Sequence, residues 1–435
     1  MSGQASAIGP LSLGMVAGEA SGDLLAAALL EGVAARVGQL HAAGIGGPAM
    51  ARHGFDAWWT IEALSVNGYL EVLREYPRLR RMRDALAERL AAWRPQVFVG
   101  VDAPDFNLDL EARLRRDGIR IVHFISPSIW AWRRERIEKI RRSVAHMLLV
   151  FPFEEASYRE AGIPATYVGH PLADAIPAQV DAAAARRALG LPATGAVIAL
   201  LPGSRTSEVE HLAPVFLGTA AWLYERRGDL HFVLPAASPA LFERLKAIAA
   251  DARLPANLSL TLVSGRSHDA LAASDAVLVA SGTATLETAL FRKPMVIAYR
   301  MSWLSYRIMR RMGYLPWVGL PNILSGRFVV PEFLQSAVRA PEMGEALLRQ
   351  LDDDAHRQGI VAQFGALHDS LRRGCAARAA AVVLEVAGGC GASVRRRRGR
   401  PRAACRAGLC GGGDPRPAGT DRRRARLQGA DGGAS

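Results

Sequence analysis

The chain has 435 residues, half of them apolar, and a formal net charge of +13; its mean hydropathy is +0.09. That length exceeds one ordinary core and suits two domains of about 150–200 residues each. Its apolar runs fall short of the ~20 uninterrupted residues of a membrane span, and its first apolar stretch lacks a basic leader and carries Glu19 and Asp23, so neither signal peptide nor anchor is expected and the expected compartment is the cytoplasm.

The positive charge is unevenly placed. Residues 388–435 hold twelve arginines and three aspartates, a net +9, which leaves the preceding body near +4. A specific nucleic-acid partner is therefore not expected. The four cysteines, Cys375, Cys390, Cys405 and Cys410, come late, with no Cys-x-x-Cys pair and no Cys/His zinc spacing. No metal site and no structural disulfide are expected in the body.

Short apolar runs alternate with amphipathic stretches. Strands are predicted at 13–17, 97–101, 121–125, 146–150, 196–201, 231–235, 259–263 and 276–280, with helices at 22–36 and 108–116 among the segments between them. Strands separated by helices predict parallel sheets with crossover helices, an α/β fold. The stretch 174–192, with Pro177 and Pro192 around an alanine-rich helix, reads as the connection between two such sets. The chain thus divides into 1–185, 186–343, a helical segment 344–387 that packs back on the first domain, and a tail, 388–435. The tail is rich in Arg, Gly, Ala and Pro, cannot bury a core, and is predicted disordered. It reads either as a basic arm for an anionic partner or as an extension without function, including an out-of-frame one.

The string Ala17-Gly18-Glu19-Ala20-Ser21-Gly22-Asp23 follows a strand and opens a helix. Its acids disfavour a phosphate and suit a sugar or an incoming hydroxyl, or else they complement the helix dipole. Gly44-Ile45-Gly46-Gly47-Pro48 lacks the spacing of a dinucleotide loop. Val99-Gly100-Val101-Asp102-Ala103-Pro104-Asp105-Phe106-Asn107 ends a valine-rich strand in two acids and an amide. Asp102 there can take a proton from an attacking hydroxyl, whereas Asp105 reads better as a helix cap.

In the second half, Leu200-Leu201-Pro202-Gly203-Ser204-Arg205 offers a close backbone approach at Gly203, a donor at Ser204 and a phosphate partner at Arg205. Glu208 and Glu210 stand close enough to neutralise Arg205 instead. Ser281-Gly282-Thr283-Ala284-Thr285-Leu286-Glu287 runs from a strand into a helix N-terminus, an anion site by its amides and dipole. Glu287 can accept the two hydroxyls of a ribose or act as a capping acid. No Walker loop is present. Residues 301–322 and, more mildly, 66–82 mix apolar, aromatic and arginine side chains, as a lipid-facing surface or a core helix with solvated arginines would. Leu320-Pro321-Asn322 places an amide at the end of the first of these.

Two Rossmann-like halves, with acids at strand ends in one and a diphosphate-type site in the other, suggest a GT-B glycosyltransferase. Read in order, Gly18–Asp23, Gly100–Asn107, Ser126-Pro127-Ser128-Ile129-Trp130-Ala131-Trp132-Arg133, Val168-Gly169-His170-Pro171, Leu201–Arg205 with Glu208-Val209-Glu210, Ser281–Glu287 and Leu320–Asn322 resemble the lipid-A-disaccharide synthase family. The resemblance implies transfer of 2,3-diacylglucosamine from UDP-2,3-diacylglucosamine to 2,3-diacylglucosamine 1-phosphate, with inversion and with no cofactor or metal. It implies Asp102 as general base with Glu19 next in line. UDP would be held by Gly203, Ser204, Arg205, Ser281, Gly282, Thr283, Thr285 and Glu287, with Asn322 near the diphosphate. The acceptor side would be lined by Glu19, Ser21, Asp105 and Asn107. It further implies a peripheral place on the inner-membrane lipid surface and admits a homodimer. The family ends near residue 387, where the tail begins. The rivals are another GT-B UDP-sugar enzyme, such as a peptidoglycan-precursor transferase or a UDP-sugar epimerase, and a non-catalytic polybasic binder.

Overall fold

A computed structural model describes residues 9–64, 69–130, 135–301 and 316–388. The tail 389–435, most of the 301–322 stretch, residues 131–134 and part of the 66–82 stretch lie outside the described residues, and so do the expectations placed on them.

The first sheet has seven parallel strands: β1 (Leu11–Ala17), β2 (Leu40–Gly46), β3 (Asp56–Thr60), β4 (Val97–Val101), β5 (Arg120–Phe124), β6 (His146–Leu149) and β7 (Ala165–Tyr167). Their spatial order is β3-β2-β1-β4-β5-β6-β7. Helices α1 (Ala20–Ala34), α2 (Pro48–Ala51), α3 (Tyr69–Trp93), α4 (Pro104–Arg116), α5 (Arg136–Ser143) and α6 (Glu154–Glu160) connect them. Two short helices, α7 (Pro171–Ala175) and α8 (Ala182–Leu189), lead into the second half.

There, six parallel strands, β8 (Ala196–Leu201), β9 (Leu230–Ala236), β10 (Ser259–Ser264), β11 (Ala276–Ala280), β12 (Met295–Tyr299) and β13 (Glu332–Leu334), order as β10-β9-β8-β11-β12-β13. The intervening helices are α9 (Thr206–Tyr224), α10 (Pro239–Asp251), α11 (Ser267–Ala273), α12 (Thr283–Leu290) and α13 (Leu320–Ser325). Three more, α14 (Ala340–Asp352), α15 (Asp354–Leu371) and α16 (Cys375–Gly388), end the described chain. Central strands such as β4, Val-Phe-Val-Gly-Val, are buried at every position, as a sheet covered by helices on both faces requires.

Every strand expected from the sequence is present, with ends shifted by at most two residues. The strands not anticipated are β2, with its two glycines, the edge strands β3, β7 and β13, and β12, a buried apolar run of the same kind as those read. The 174–192 connection is more regular than expected: Asp181 caps α8 through a 2.9 Å bond from the Ala184 amide, and Gly190 ends it in the left-handed region.

One apolar core runs without interruption from the first sheet through α8, α15 and α16 into the second, taking in Leu13, Ala26, Leu30, Ala185, Val197, Leu286, Phe364 and Ala380. Polar bonds reinforce the join. The His170 amide donates to Leu371 O at 2.9 Å, Tyr167 Oη to Ser370 O at 2.8 Å, and the Gly374 and Cys375 amides to Asp174 at 3.0 and 2.5 Å. The last helix, α16, then lies on α1. Their backbones meet at Gly32, where a Cβ would sit 2.8 Å from Ala376 O and 3.3 Å from Ala380 Cβ, and Arg36 donates to Ala377 O. Gly32→Val should therefore lower stability by about 1–3 kcal/mol by overpacking. Chemical denaturation checks it, and an unchanged midpoint would mean that α16 does not rest on α1 at this distance.

Candidate active site

In each sheet the order of strands reverses once, between β1 and β4 in the first and between β8 and β11 in the second. Crevices outside the carboxyl ends of strands at such points are where open α/β sheets take ligands. The turns expected to carry chemistry occupy these two places.

At the first, the turns after β1 and β4 touch. A Cβ on Gly18 would lie 2.6 Å from Ala103 Cβ, so only glycine at 18 lets the turns meet. Glu19 and Ser21 are exposed at the start of α1, and the Glu19 side chain makes no cap bond. Asp23 turns the other way. It is buried and accepts the Gly47, Ala49 and Met50 amides at 2.9, 2.8 and 3.1 Å, which makes it the anionic cap of α2. The glycine run 44–48 is thereby a strand end and a capped helix start. Gly44 backs onto Met15 O, only 2.0 Å from where its Cβ would be.

Asp102 and Ala103 both adopt left-handed backbone angles, φ 51° and 44°, at roughly 1–2 kcal/mol per residue for L-residues. Pro104 at the first helical position suits the abrupt entry into α4. Asn107 holds the turn from below: wholly buried, it donates Nδ2 to Asp102 O at 2.8 Å and to Val101 O at 3.4 Å. The Asp102 amide donates to Phe124 O at 2.9 Å. Burial pushes the Asp102 carboxyl above the ordinary range, while the charge of His123 and the Ala103 amide pull it back. Asp105 is solvated and pairs with Arg136 Nη2 at 2.6 Å. Of the acceptor-side residues expected from the sequence, Glu19, Ser21 and Asp105 face solvent, and Asn107 is a strut.

The strand ends beside Asp102 carry a cluster that sequence reading left without a role. Glu154, at the start of α6, is buried; it accepts Trp130 Nε1 and the Phe151 amide, each at 3.1 Å. Ser126 Oγ lies 2.7 Å from the buried Tyr158 hydroxyl. Next to them His170 packs on Phe151, rings 5.5 Å apart, and accepts the Leu172 amide. Burial drives His170 down to about 4, so its imidazole is neutral.

At the second crossing, Gly203 has φ +126°, and its missing Cβ leaves room for the Glu208 side chain. Glu208 accepts the Ser204 and Arg205 amides at 3.1 and 3.3 Å, and its other oxygen meets Arg205 Nη1 at 3.3 Å. That ion pair is exposed on the arginine side, 72% for Arg205, so it is weak and the guanidinium can exchange partners. Glu210 pairs with Arg244 instead. On the neighbouring strand, Gly282 (φ +153°) and Thr283 are exposed at the start of α12. Thr285 is buried and donates to Gly282 O at 2.8 Å.

Ser281 donates to Val318 O at 3.0 Å, which ties this turn to the segment carrying Asn322. The Asn322 amide is committed inside the fold. Its Nδ2 donates to Val330 O and Glu332 Oε1 at 2.9 and 2.8 Å, and its Oδ1 accepts the Val329 and Val330 amides at 2.7 and 3.0 Å. Glu287 Oε2 lies 3.4 Å from His268 Nε2, and that bond raises the His268 pKa. Among the described residues no cluster of three His, Cys, Asp or Glu could hold a metal ion.

Glu154, Glu111 of α4 and His123 of β5 were missed because nothing in the string shows that they are buried: the two glutamates stand among other charged helix residues, and His123 is a single polar residue in an apolar strand. The usable signal was Asn107 and Glu111 at i, i+4 on one helix face, with His123 inside an otherwise apolar strand.

Burial raises Glu154 from the ordinary 4.5 to about 7. Because the folded value is the higher one, its stabilising contribution is complete below about pH 4.5 and is lost as pH rises through about 7, roughly 3 kcal/mol in all. Glu154→Gln should remove that slope. Denaturant unfolding at about pH 5 and about pH 8 tests it, and equal differences from wild type at both would refute it.

A model described as lipid-A-disaccharide synthetase matches residues 13–385. The lipid-A-disaccharide synthase of Burkholderia vietnamiensis is 53% identical over 377 residues, 86% of this chain and 96% of that protein. Among solved structures, the glycotransferase of kitacinnamycin superposes with TM-score 0.59 at 14% identity over 88% of this chain and 99% of its own. MurG of Acinetobacter baumannii does so with TM-score 0.51 at 13% identity, over 87% and 99%. At such identities the two structures speak to the fold alone, which is GT-B. With the family model spanning nearly the whole described body, and with the acid turn and the serine-glycine-threonine turn at the two strand-order reversals, this chain belongs to the lipid-A-disaccharide synthase family.

Proposed function

We propose that this chain makes the β-1′,6-linked lipid A disaccharide, transferring 2,3-diacylglucosamine from UDP-2,3-diacylglucosamine to the 6-hydroxyl of 2,3-diacylglucosamine 1-phosphate. The observation that carries the reading is the Asp102 turn, a half-buried carboxylate in strained backbone at the first strand-order reversal. Asp102 takes the proton of the 6-hydroxyl as its oxygen forms the bond to C1 of the donor sugar. The bond from C1 to the diphosphate oxygen breaks on the opposite face, and UDP leaves with the electron pair. One displacement inverts the anomeric carbon. A carboxyl raised by burial is the stronger base for this step.

The departing diphosphate is met by Arg205, by the Ser204 hydroxyl beside the close backbone approach at Gly203, and by the N-terminus of α12 at Gly282 and Thr283. Glu287 takes the ribose hydroxyls, in exchange for its contact with His268. Ser281, Thr285 and Asn322 act by fixing that turn. Glu19, Ser21 and Asp105 line the acceptor side, and Glu19 is the alternative base. Residues 1–185 handle acceptor and membrane surface, 186–343 hold the UDP-sugar, and 344–387 brace the first domain.

Both substrates are acylated, so the reading includes a peripheral position on the inner membrane and admits a homodimer. Among the described residues no helix is long and apolar enough to cross a membrane, and the arginine-rich α3 exposes Tyr76. A peptidoglycan-precursor transferase or a UDP-sugar epimerase is less favoured, since the family model and the 53%-identical relative both carry the lipid-A-disaccharide synthase description.

Incubation with the two acylated substrates, read by UDP release and by mass spectrometry of the product, should give the disaccharide; neither product would end the proposal. Asp102→Asn should cut kcat by about 10²–10⁴-fold while UDP affinity stays within about twofold. Arg205→Ala should instead weaken donor use by about 10-fold or more in kcat/KM, and unchanged donor kinetics would remove Arg205 from the diphosphate site.

A further inference from the structure

Directly behind the Asp102 turn lies a buried ion pair that the transfer step does not use. His123 in β5 and Glu111 in α4 are both fully buried, with His123 Nδ1 2.6 Å from Glu111 Oε1. Leucines could fill this volume at no electrostatic cost, whereas a buried pair pays desolvation for both ions and is weak support for stability. Glu111 Oε2 finds no hydrogen-bond partner, so the pair is not arranged to stabilise itself best.

The surrounding backbone makes room for it nevertheless. Gly100 stands beside His123 in the ladder, and a Cβ on Gly100 would come within 2.1 Å of Glu111 Oε1 and 3.2 Å of the Asn107 side chain. Asn107, one helical turn before Glu111, is the residue that grips Asp102 O. Gly100, Asp102, Asn107, Glu111 and His123 therefore form one block at the joint of β4 and α4.

We propose that Glu111 and His123 are positioning residues for Asp102: the buried pair braces Asn107, whose amide grips Asp102 O, and sets an imidazolium in the same block as the Asp102 carboxylate. The inference rests on Asp102 being the base. Around His123 the charged groups are Glu111 from α4 and Asp102 from the turn after β4, while β6 places uncharged Met147 opposite. Burial works to lower the His123 pKa, but the charge and hydrogen bond of Glu111, then Asp102 and the Ile125 backbone, raise it above the ordinary value. Asp102 is raised by its own burial and lowered by His123. Removing the cation leaves burial unopposed, so Asp102 would hold its proton to higher pH.

The test replaces both partners, Glu111→Leu with His123→Leu, which keeps the core apolar and folded. The expected result is a melting temperature within a few degrees of wild type and a donor KM within about twofold, with kcat down by about 10-fold or more. The acid limb of kcat/KM should also move to higher pH by about one unit. Wild-type kcat with an unmoved limb overturns the proposal. In an Asp102→Asn background the double replacement should cost nothing further in kcat, and an additional loss there also overturns it.

Full activity in Asp102→Asn alone sinks the base assignment, whereas an inactive Asp102→Asn beside a wild-type Leu/Leu enzyme sinks only the positioning role. The unsubstituted protein gives an independent check. Long-range ¹H–¹⁵N spectra at about pH 6.5, the ordinary histidine value, should show His123 mainly protonated on both ring nitrogens, and a neutral ring there overturns the proposal even if the variant fails to fold.

Discussion

Two consecutive L-residues in the left-handed region, Asp102 and Ala103, set the terms for the first half of this protein. Such a turn persists only where its surroundings over-determine it. Here they do so from three sides. Gly18 withholds a side chain where the β1 turn presses on Ala103, Asn107 grips the carbonyl of Asp102, and the Phe124 carbonyl takes its amide. Strain of roughly 1–2 kcal/mol per residue is thus offset by contacts that also pin a carboxylate at the mouth of the sheet. The geometry that presents the Asp102 carboxylate and the geometry that makes the turn stable are one arrangement.

The second half solves a different problem with the same topology. In the proposed transfer it receives negative charge rather than generating it, and its reversal point offers a helix start and one arginine in a loose ion pair. Glu208 organises that loop by accepting two amides while engaging Arg205 only weakly. A tight Arg205–Glu208 pair would make the loop more rigid and leave less positive charge for a ligand. Ser281, Asn322 and Glu332 perform the stiffening instead, by hydrogen bonds that run away from the reversal point into the fold.

The architecture was largely legible in the sequence because buried parallel strands are short apolar runs, and β4, β8 and β11 could be read to the residue. Edge strands β3, β7 and β13 could not, since residues at an edge are less buried and carry a weaker pattern. Asp102 and the Ser281–Gly282–Thr283 turn were legible because each breaks an apolar strand with polar residues. The direction of a side chain was not. Glu19 and Asp23 look alike in a string, yet one faces water and the other caps a helix 24 or more residues away. Asn107 and Asn322 were read as ligand-facing amides, but both are saturated or held inside the fold, a distinction that only long-range partners decide. The role of His123 and Glu111 escaped for the same reason: it lies in a contact between a strand and a helix.

The close seating of α16 on α1, backbone against Gly32, has a consequence for how the chain comes into being. The first sheet is made from the earliest residues synthesised, but the helix that covers part of its flank is made from the last described ones, Cys375–Gly388. Until these emerge, the flank of α1 at Gly32 and Arg36, where α16 seats, lacks its partner. Final packing of the first half therefore waits on residues made after the whole second sheet. Late closure of this kind makes the finished fold depend on the integrity of the very end of the body, so that a break near residue 375 would expose a surface almost the full length of the chain away from it.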